Sequence, residues 1–293
     1  MTTLYIQPRT GFCSRLLVLN EAYQVAKETG SRLVIIWKQT EDCNLDYYDT
    51  FDKKQFADID CKVVQTYELK DFGRRLFSRE IFKTIVEIPA WIYSTVMLRK
   101  YRTKKEQFFP YDKRDRECQA EDYHKIVEKL KSGDNIYCMA YEGLSGYQAE
   151  GFYDLTAISF SDKVIREAKS IVGDEPYISV HIRRTDHWVA IENSHTEDFE
   201  IKMDREIETN SNVRFFLATD DMEEEKRMIA RYGDRIIVQK DKDLSRASKK
   251  GMHDSIIDLL CLSYGRKVIG SQRSIFSKVS AELNNIPLDI ANM

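Results

Sequence analysis

Residues 179–188 read SVHIRRTDHW, an apolar run that ends abruptly in two arginines, an aspartate and a histidine. Packing asks for none of these. The adjacent guanidinium groups of Arg183 and Arg184 stay charged at any working pH and offer forked donors that match phosphate oxygens. The structural alternative is an ion pair with Asp186, or with Asp220 further along the chain. A second anion site is suggested at residues 271–274, SQRS. There Ser271, Arg273 and Ser274 precede an apolar helical pattern, so hydroxyls and unpaired backbone N–H groups gather at a helix start. The two sites together suit a diphosphate.

Asp220 and Asp221, in ATDD, have the composition of a magnesium site beside a diphosphate. The arginine pair would supply the same positive charge without a metal, and acidic residues after a strand are also helix N-caps. Asp258 stands inside the apolar run SIIDLLCL, where a carboxylate either caps the helix or faces a ligand. Guanine presents two adjacent donors, N1–H and the exocyclic amine, that one carboxylate can read. His187, Glu192, His195 and Glu197 follow the arginines in a loop, and each has the chemistry of a general base. His253 reads as a surface or capping residue. Neither G-x-x-x-x-G-K-S/T nor G-x-G-x-x-G occurs, so a P-loop NTPase or a standard dinucleotide dehydrogenase finds no support. GFCSR, residues 11–15, puts Gly11 and Arg15 between the first strand and its helix, a signal any tight turn can share.

The elements that must position these residues follow from periodicity. TLYIQ predicts a strand, RLLVLNEAYQVAKETG a helix ending in Gly30, and RLVIIW a buried strand, which makes one β-α-β unit. Residues 38–134 lack clean alternation, and only helices near 79–98 and 120–131 are predicted there. NIYCMAY predicts a further strand. The glycine-rich EGLSGYQAEG that follows marks a boundary between an N-terminal domain, residues 1–150, and a C-terminal domain, residues 151–293. From residue 177 the pattern is regular: YISVHI, VRFFLAT, RIIVQ and KVIG as strands, alternating with helices DFEIKMDREIE, DMEEEKRMIARYG, DSIIDLLCLSYG and SIFSKVSAEL. Such alternation predicts an α/β fold with a parallel, doubly wound sheet, whose ligands sit beyond the carboxyl ends of the strands. His181, Arg183, Arg184, Asp186, Asp220, Asp221, Ser271 and Ser274 all fall there.

Composition narrows the classes. With 293 residues, 42% hydrophobic and 32% charged, the chain can bury two ordinary cores. Its formal charge of −3 disfavours a polyanion binder, so no nucleic-acid partner is expected. Six scattered cysteines without a C-x-x-C pair, and no charged-then-apolar leader, point to reduced thiols and a cytoplasmic location. No window reaches membrane-span length. Residues 84–98, TIVEIPAWIYSTVML, carry Glu87 and Pro89 and are followed by RKYRTKK. They fit a packed helix with a solvated basic end, or an interfacial helix meeting an anionic or lipid-linked partner through residues 80–105.

In order and spacing, SVHIRRTDHW, FFLATDD, SIIDLLCLS and GSQRSIFSKVSAEL resemble the donor-binding half of the α-1,6-fucosyltransferases and their protein-O-fucosyltransferase and rhizobial nodulation relatives. TGFCSRLLVLNEAYQVAKETGSRLVIIW, with the later DCNLDYYDTFD, resembles the opening of bacterial members. The likeness covers residues 1–50 and 175–285. It implies a GT-B architecture, two Rossmann-like domains with parallel sheets facing across a cleft, with the acceptor on the N-terminal side. It also implies inverting transfer from GDP-fucose or a related GDP-sugar to a glycan or lipid-linked oligosaccharide, with no metal cofactor, in polysaccharide biosynthesis at the inner membrane face.

By the same resemblance Arg183 holds the β-phosphate, His181 and Asp258 lie near the guanosine, and Ser274 touches the phosphates. Arg184 and Asp186 share the motif, and Asp220 and Asp221 shape the pocket. Gly11, Arg15 and Ser271 complete the donor-binding candidates, and Arg183, Asp186 and Glu192 are the catalytic ones. The sequence departs from the pattern at four places: His187 replaces a lysine, Glu192 aligns one residue out of step, Phe199 stands for a tyrosine, and Ser14 and Arg15 replace an asparagine or glutamine. Two rivals stay open: another nucleoside-diphosphate sugar as donor, or a non-catalytic nucleotide-sugar or glycan-binding protein.

Overall fold

Short aliphatic runs, apolar on both faces, set the frame of the molecule. In the computed structural model, which describes residues 1–67, 92, 96, 99, 107–110, 116–140, 143–144 and 154–292, these runs form the inner strands of two parallel sheets. Strands enclosed on both faces carry such sequences because neither side meets water.

The first sheet contains β1 (Thr3–Pro8), β2 (Arg32–Gln39), β3 (Cys61–Tyr67), β4 (Gln107–Pro110) and β5 (Ile136–Ala140), in the order β3-β2-β1-β5-β4. Every pairing is parallel. Helix α1 (Phe12–Thr29) joins β1 to β2 and stops at Gly30, whose φ of 63° is the left-handed geometry glycine adopts without penalty. Helices α2 (Tyr47–Thr50) and α3 (Arg116–Ser132) follow.

The second sheet contains β6 (Ile178–Ile182), β7 (Phe215–Thr219), β8 (Ile236–Ile237), β9 (Val268–Gly270) and β10 (Leu288–Ile290), ordered β10-β9-β6-β7-β8 and again wholly parallel. The chain runs outward from β6 through β7 and β8, then returns to the other side of β6 as β9 and β10. The direction of winding therefore reverses between β6 and β9, the switch point at which such sheets leave a crevice. Helices α4 (Asp162–Val172), α5 (Trp188–Asn193), α6 (Thr196–Thr209), α7 (Met222–Tyr232), α8 (Lys249–Ser263) and α9 (Ile275–Glu282) connect the strands. On α4, Val164, Ala168 and Val172 recur at helical spacing and are buried. Helix α8 is buried all round from Ile256 to Ser263 and packs on α4 and α9, as its unbroken apolar run requires. Phe199, Met203, Phe215, Leu217 and Met228 join Val180, Ile182 and Ile269 in one buried cluster that roots β6 and β9. Each large side chain so buried contributes about 1.5–3 kcal/mol.

By internal contacts the chain divides into two units, Met1–Asp49 with Lys54–Gln148 and Thr50–Lys53 with Ala149–Met293. The short crossing segment is held by Asp52 N–H donating to Ser159 O (2.9 Å) and Ser161 N–H donating to Thr50 O (2.8 Å). Strands β3, β4 and β10 and helices α2, α4 and α5 add to the predicted elements. Strand β8 is shorter than RIIVQ suggested, and α8 begins earlier than predicted, at a Ser248 cap whose Oγ accepts Gly251 N–H. The helix expected near 79–98 lies outside the described residues, save Ile92, Val96 and Arg99, which are helical. So does the glycine-rich 142–151 stretch, save Gly143 and Leu144. No helix among the described residues is long and apolar enough to cross a membrane.

Candidate functional site

Strand β6 ends at the switch point, and its neighbour β9 is clipped to it there by one hydroxyl. Ser271 Oγ accepts Arg183 N–H at 2.9 Å and donates to His181 O at 3.2 Å. Gly270 makes this closeness possible, because a Cβ at that position would sit 2.6 Å from Ser277 Cβ. Ser277 Oγ accepts Ser271 N–H (3.1 Å) and shares a 2.7 Å hydrogen bond with His181 Nδ1, while Phe276 packs on the imidazole at 4.8 Å. Burial, followed by the charge of Arg183, pushes His181 down to about 3, so it is a neutral ring at physiological pH.

Arg183 leaves β6 with its side chain 16% exposed. Its Nη1 lies 2.9 Å from Asp220 Oδ2, and its Nη2 donates to Asp186 Oδ1. Asp220 also accepts Arg184 N–H (2.8 Å), Thr185 N–H (3.2 Å) and the Thr185 hydroxyl (2.5 Å), so a single carboxylate shapes the turn and aims the arginine. Burial alone would raise Asp220, but the Arg183 charge and these hydrogen bonds outweigh it and hold the carboxyl below its ordinary value. Asp186 is half-exposed, and its other oxygen is 3.4 Å from Arg246 Nη2.

Across the switch point, residues 271–274 turn into α9. Ser274 is the N-cap, its Oγ accepting Ser277 N–H at 3.4 Å, and the exposed Arg273 before it has φ 53°. A non-glycine residue held in that region stores strain. The helix start and Arg183 are joined through Ser271, which brings a guanidinium and a helix N-terminus, two groups of positive electrostatic character, to one crevice.

Other predicted residues have different tasks. Arg15 is fully buried: its Nε donates to Thr10 O (2.8 Å), Nη1 to Lys38 O (2.6 Å) and Nη2 to Thr40 Oγ1 (3.0 Å), and it lies over Trp37. Its donors fasten the β1–α1 loop to the end of β2. Arg184 likewise turns inward, bonding Arg183 O, Ser194 O and Thr196 Oγ1 and approaching Glu224 at 3.6 Å. Asp221 is the N-cap of α7, accepting Glu223 N–H (2.8 Å) and Glu224 N–H (3.4 Å). The two aspartates of ATDD are thus committed separately. Gly11 precedes α1 with φ −69° and open space where a Cβ would stand, so nothing local demands glycine. Among the base candidates, His187 caps α5 through Nδ1, His195 precedes α6, and Glu197 pairs with Arg227 at 2.9 Å. Glu192 is exposed on α5.

Asp258 lies on the inner face of α8 with two partners that the sequence reading missed. Lys242, in the loop after β8, places Nζ 3.7 Å from Asp258 Oδ2 and 2.7 Å from Glu225 Oε2 of α7. Asp258 Oδ1 is buried without a hydrogen-bond partner. A signal for Glu225 was present, since it shares the buried stripe of α7 with Met228 and Tyr232 at helical spacing. Lys242, within QKDKDLSR, reads as part of a solvated charge run.

The fold is the two-domain α/β class known as GT-B. No family model matches the chain, and no curated protein resembles it in sequence. Among solved structures it is similar over its whole length to POFUT1 in complex with GDP-fucose, at 11% identity and a TM-score of 0.55, with 99% of this chain and 97% of that one covered. NodZ α-1,6-fucosyltransferase soaked with GDP-fucose gives 18% identity and a TM-score of 0.57, with 97% and 93% covered. Fucosyltransferase NodZ from Bradyrhizobium gives 19% and 0.54 over the same shares.

Proposed function

We propose that the protein is a glycosyltransferase that moves fucose from GDP-fucose, with inversion and without a metal, to a hydroxyl of a glycan or lipid-linked oligosaccharide. The observation that carries this reading is Arg183 beside the N-terminus of α9 at the switch point of the second sheet, a two-sided anion site fit for a diphosphate. It stands in a chain whose fold is that of proteins solved with GDP or GDP-fucose.

In this reading residues 151–293 hold the donor and residues 1–150 the acceptor. The Asp258 carboxylate accepts both the N1–H and the exocyclic amine of guanine, one of them at the Oδ1 that makes no hydrogen bond, and neutral His181 stacks or hydrogen-bonds beside the nucleoside. The acceptor oxygen forms a bond to the anomeric carbon as the bond from that carbon to the β-phosphate oxygen breaks. The electron pair leaves with GDP, and Arg183 with the amides at Ser274 stabilises the charge that develops there. Asp186 or Glu192 takes the acceptor proton. Asp220 keeps Arg183 pointed at the leaving group, so the positive charge is arranged before the reaction begins. Ile92 and Val96, each helical and four residues apart, are exposed and precede RKYRTKK in the sequence. They support peripheral contact with a membrane surface that carries the acceptor.

The test is thermal shift and turnover with a panel of donors. GDP is expected to raise the melting temperature where UDP and dTDP do not, and GDP-fucose to release GDP in an Arg183-dependent manner. Stabilisation by UDP or dTDP in place of GDP would assign another donor. No nucleotide release from any donor would leave a binding protein.

A further inference from the structure

Asp258 is not an isolated carboxylate, and its surroundings carry a consequence for how a base would be captured. We infer that Lys242 is the positioning residue of the base-reading carboxylate: its ammonium, held between Glu225 and Asp258, keeps Asp258 ionised and makes capture of a guanine nucleotide depend on pH. This rests on the reading of Asp258 as the guanine ligand.

The geometry is a closed triad. The side chains of Lys242, Glu225 and Asp258 are 1%, 9% and 9% exposed. One ammonium therefore serves two carboxylates in a medium of low dielectric, and the group carries one uncompensated negative charge when all three are ionised. The shorter contact, 2.7 Å, goes to Glu225, and the longer, 3.7 Å, to Asp258. Asp258 is the less neutralised of the two, and its Oδ1 makes no hydrogen bond; Glu225 Oε2 and Lys242 Nζ are also without one, but they face each other at 2.7 Å. A buried acceptor without a donor is costly, and a base edge bearing two donors removes that cost. The helix that carries Asp258 packs on β6, the strand of His181, which ties the triad to the switch-point site.

Charge balance follows from the same contacts. Burial pushes Asp258 up to about 7; Lys242 opposes this, while Glu225 and Asp254 reinforce it. Burial would lower Lys242, but Asp258 and Glu225 outweigh it and hold the ammonium protonated. The remaining charged groups around α8 are engaged elsewhere. Asp254 is paired with Lys250 at 2.5 Å and accepts Asp243 N–H at 2.7 Å. His253 pairs with Glu167 of α4 at 2.9 Å, Lys278 lies 3.7 Å from Glu282 on α9, His181 of β6 is neutral, and β7 brings no charged side chain. Lys242 and Glu225 are the two charged side chains in the triad with Asp258, and they act on it in opposite directions, with Asp254 adding to the effect of Glu225.

A protonated Asp258 cannot accept both guanine donors. Affinity for GDP should therefore fall about tenfold per pH unit below the midpoint of Asp258 and level off above it. Removing the ammonium with Lys242→Met favours the protonated acid and moves the midpoint to higher pH. Removing the competing carboxylate with Glu225→Gln frees Lys242 for Asp258 and moves the midpoint to lower pH.

The experiment is calorimetric titration with GDP between pH 5.5 and 9 of wild type, Lys242→Met, Glu225→Gln and Asp258→Ala. Comparing variants cancels the titration of the nucleotide itself. Midpoints displaced upward in Lys242→Met and downward in Glu225→Gln by half a pH unit or more are expected, with affinities converging at pH 9. If Lys242→Met does not fold, the acid-side gain of Glu225→Gln carries the test alone, because a merely disrupted core cannot improve binding. Midpoints that coincide with wild type, or a loss equal at every pH, would overturn the role of Lys242 while leaving Asp258 as ligand. Wild-type affinity in Asp258→Ala at pH 8 would overturn the base reading, and this inference with it.

Discussion

Arg15 and Arg183 follow the central strand of their respective sheets, and each is the arginine a motif-based reading would send to a ligand. Their surroundings separate them. Arg15 is enclosed, and its Nε, Nη1 and Nη2 donate to oxygens of its own unit, two of them the backbone carbonyls of Thr10 and Lys38. Arg183 keeps 16% of its side chain exposed and is balanced by two carboxylates, one of them half-exposed. An arginine consumed by carbonyls is a fastener. One aimed by carboxylates and still open to water is equipped to meet an anion. The sheets differ in the same sense. The second reverses its winding at β6 and β9, where the polar loops gather, whereas in the first the strand beside β1 on that side is β5, with β4 outside it.

The sharpest way to break the comparison is to remove each arginine. Arg183→Ala should lower GDP-fucose turnover about 100- to 1000-fold, the usual cost of one preorganised charge-stabilising donor, with the thermal unfolding midpoint nearly unchanged. Arg15→Met should do the reverse: a stability loss on the order of 3 kcal/mol from the loss of three hydrogen bonds made by a buried charged side chain, read by denaturant unfolding, with GDP affinity of the folded protein within about twofold of wild type. Equal effects of both on affinity would erase the distinction.

Asp258 extends the contrast to charge. Because its folded-state value lies near 7, above the roughly 3.9 of an unfolded aspartate, the folded chain holds a proton that the unfolded chain has released. Stability attached to this group is therefore lost as pH rises from about 4 to 7 and stays lost above it. Asp258→Asn, which does not titrate, should be more stable than wild type by on the order of 2 kcal/mol at pH 8, should lose that advantage by pH 4, and should bind GDP poorly throughout. Unfolding curves at the two pH values measure the difference. The smallest effect belongs to the neighbouring aspartates of ATDD. Asp221→Ala should cost about 1 kcal/mol of stability through the lost cap of α7 and leave GDP affinity intact, while Asp220→Asn should weaken GDP binding by releasing Arg183.

Much of the second unit was legible because its chemistry sits in short loops between strongly periodic elements. Once VRFFLAT and KVIG are strands, Asp220 and Ser271 must stand at their carboxyl ends. Which aspartate of the pair caps the helix was not legible, since a shift of one residue exchanges their tasks and composition is blind to it. Arg15 misled because the loop after a first strand is where ligand-binding residues stand, and only the packing of Trp37 and the β2 terminus turns it inward. Lys242 escaped because a lysine in a charged loop ordinarily faces water, and what draws it in is a buried glutamate on α7 and an aspartate on α8, distant in sequence. The alternation in CKVVQTY is broken by polar residues, and QFFP and LDI are too short for periodicity, so β3, β4 and β10 emerge only from pairing with longer strands.

The most direct measurement is calorimetric titration of the protein with GDP in the presence of EDTA, beside Arg183→Ala. Binding that EDTA leaves unchanged and that Arg183→Ala weakens at least tenfold is the expected result, with arginine and helix terminus meeting the diphosphate. Binding abolished by EDTA, or undiminished in Arg183→Ala, would contradict it.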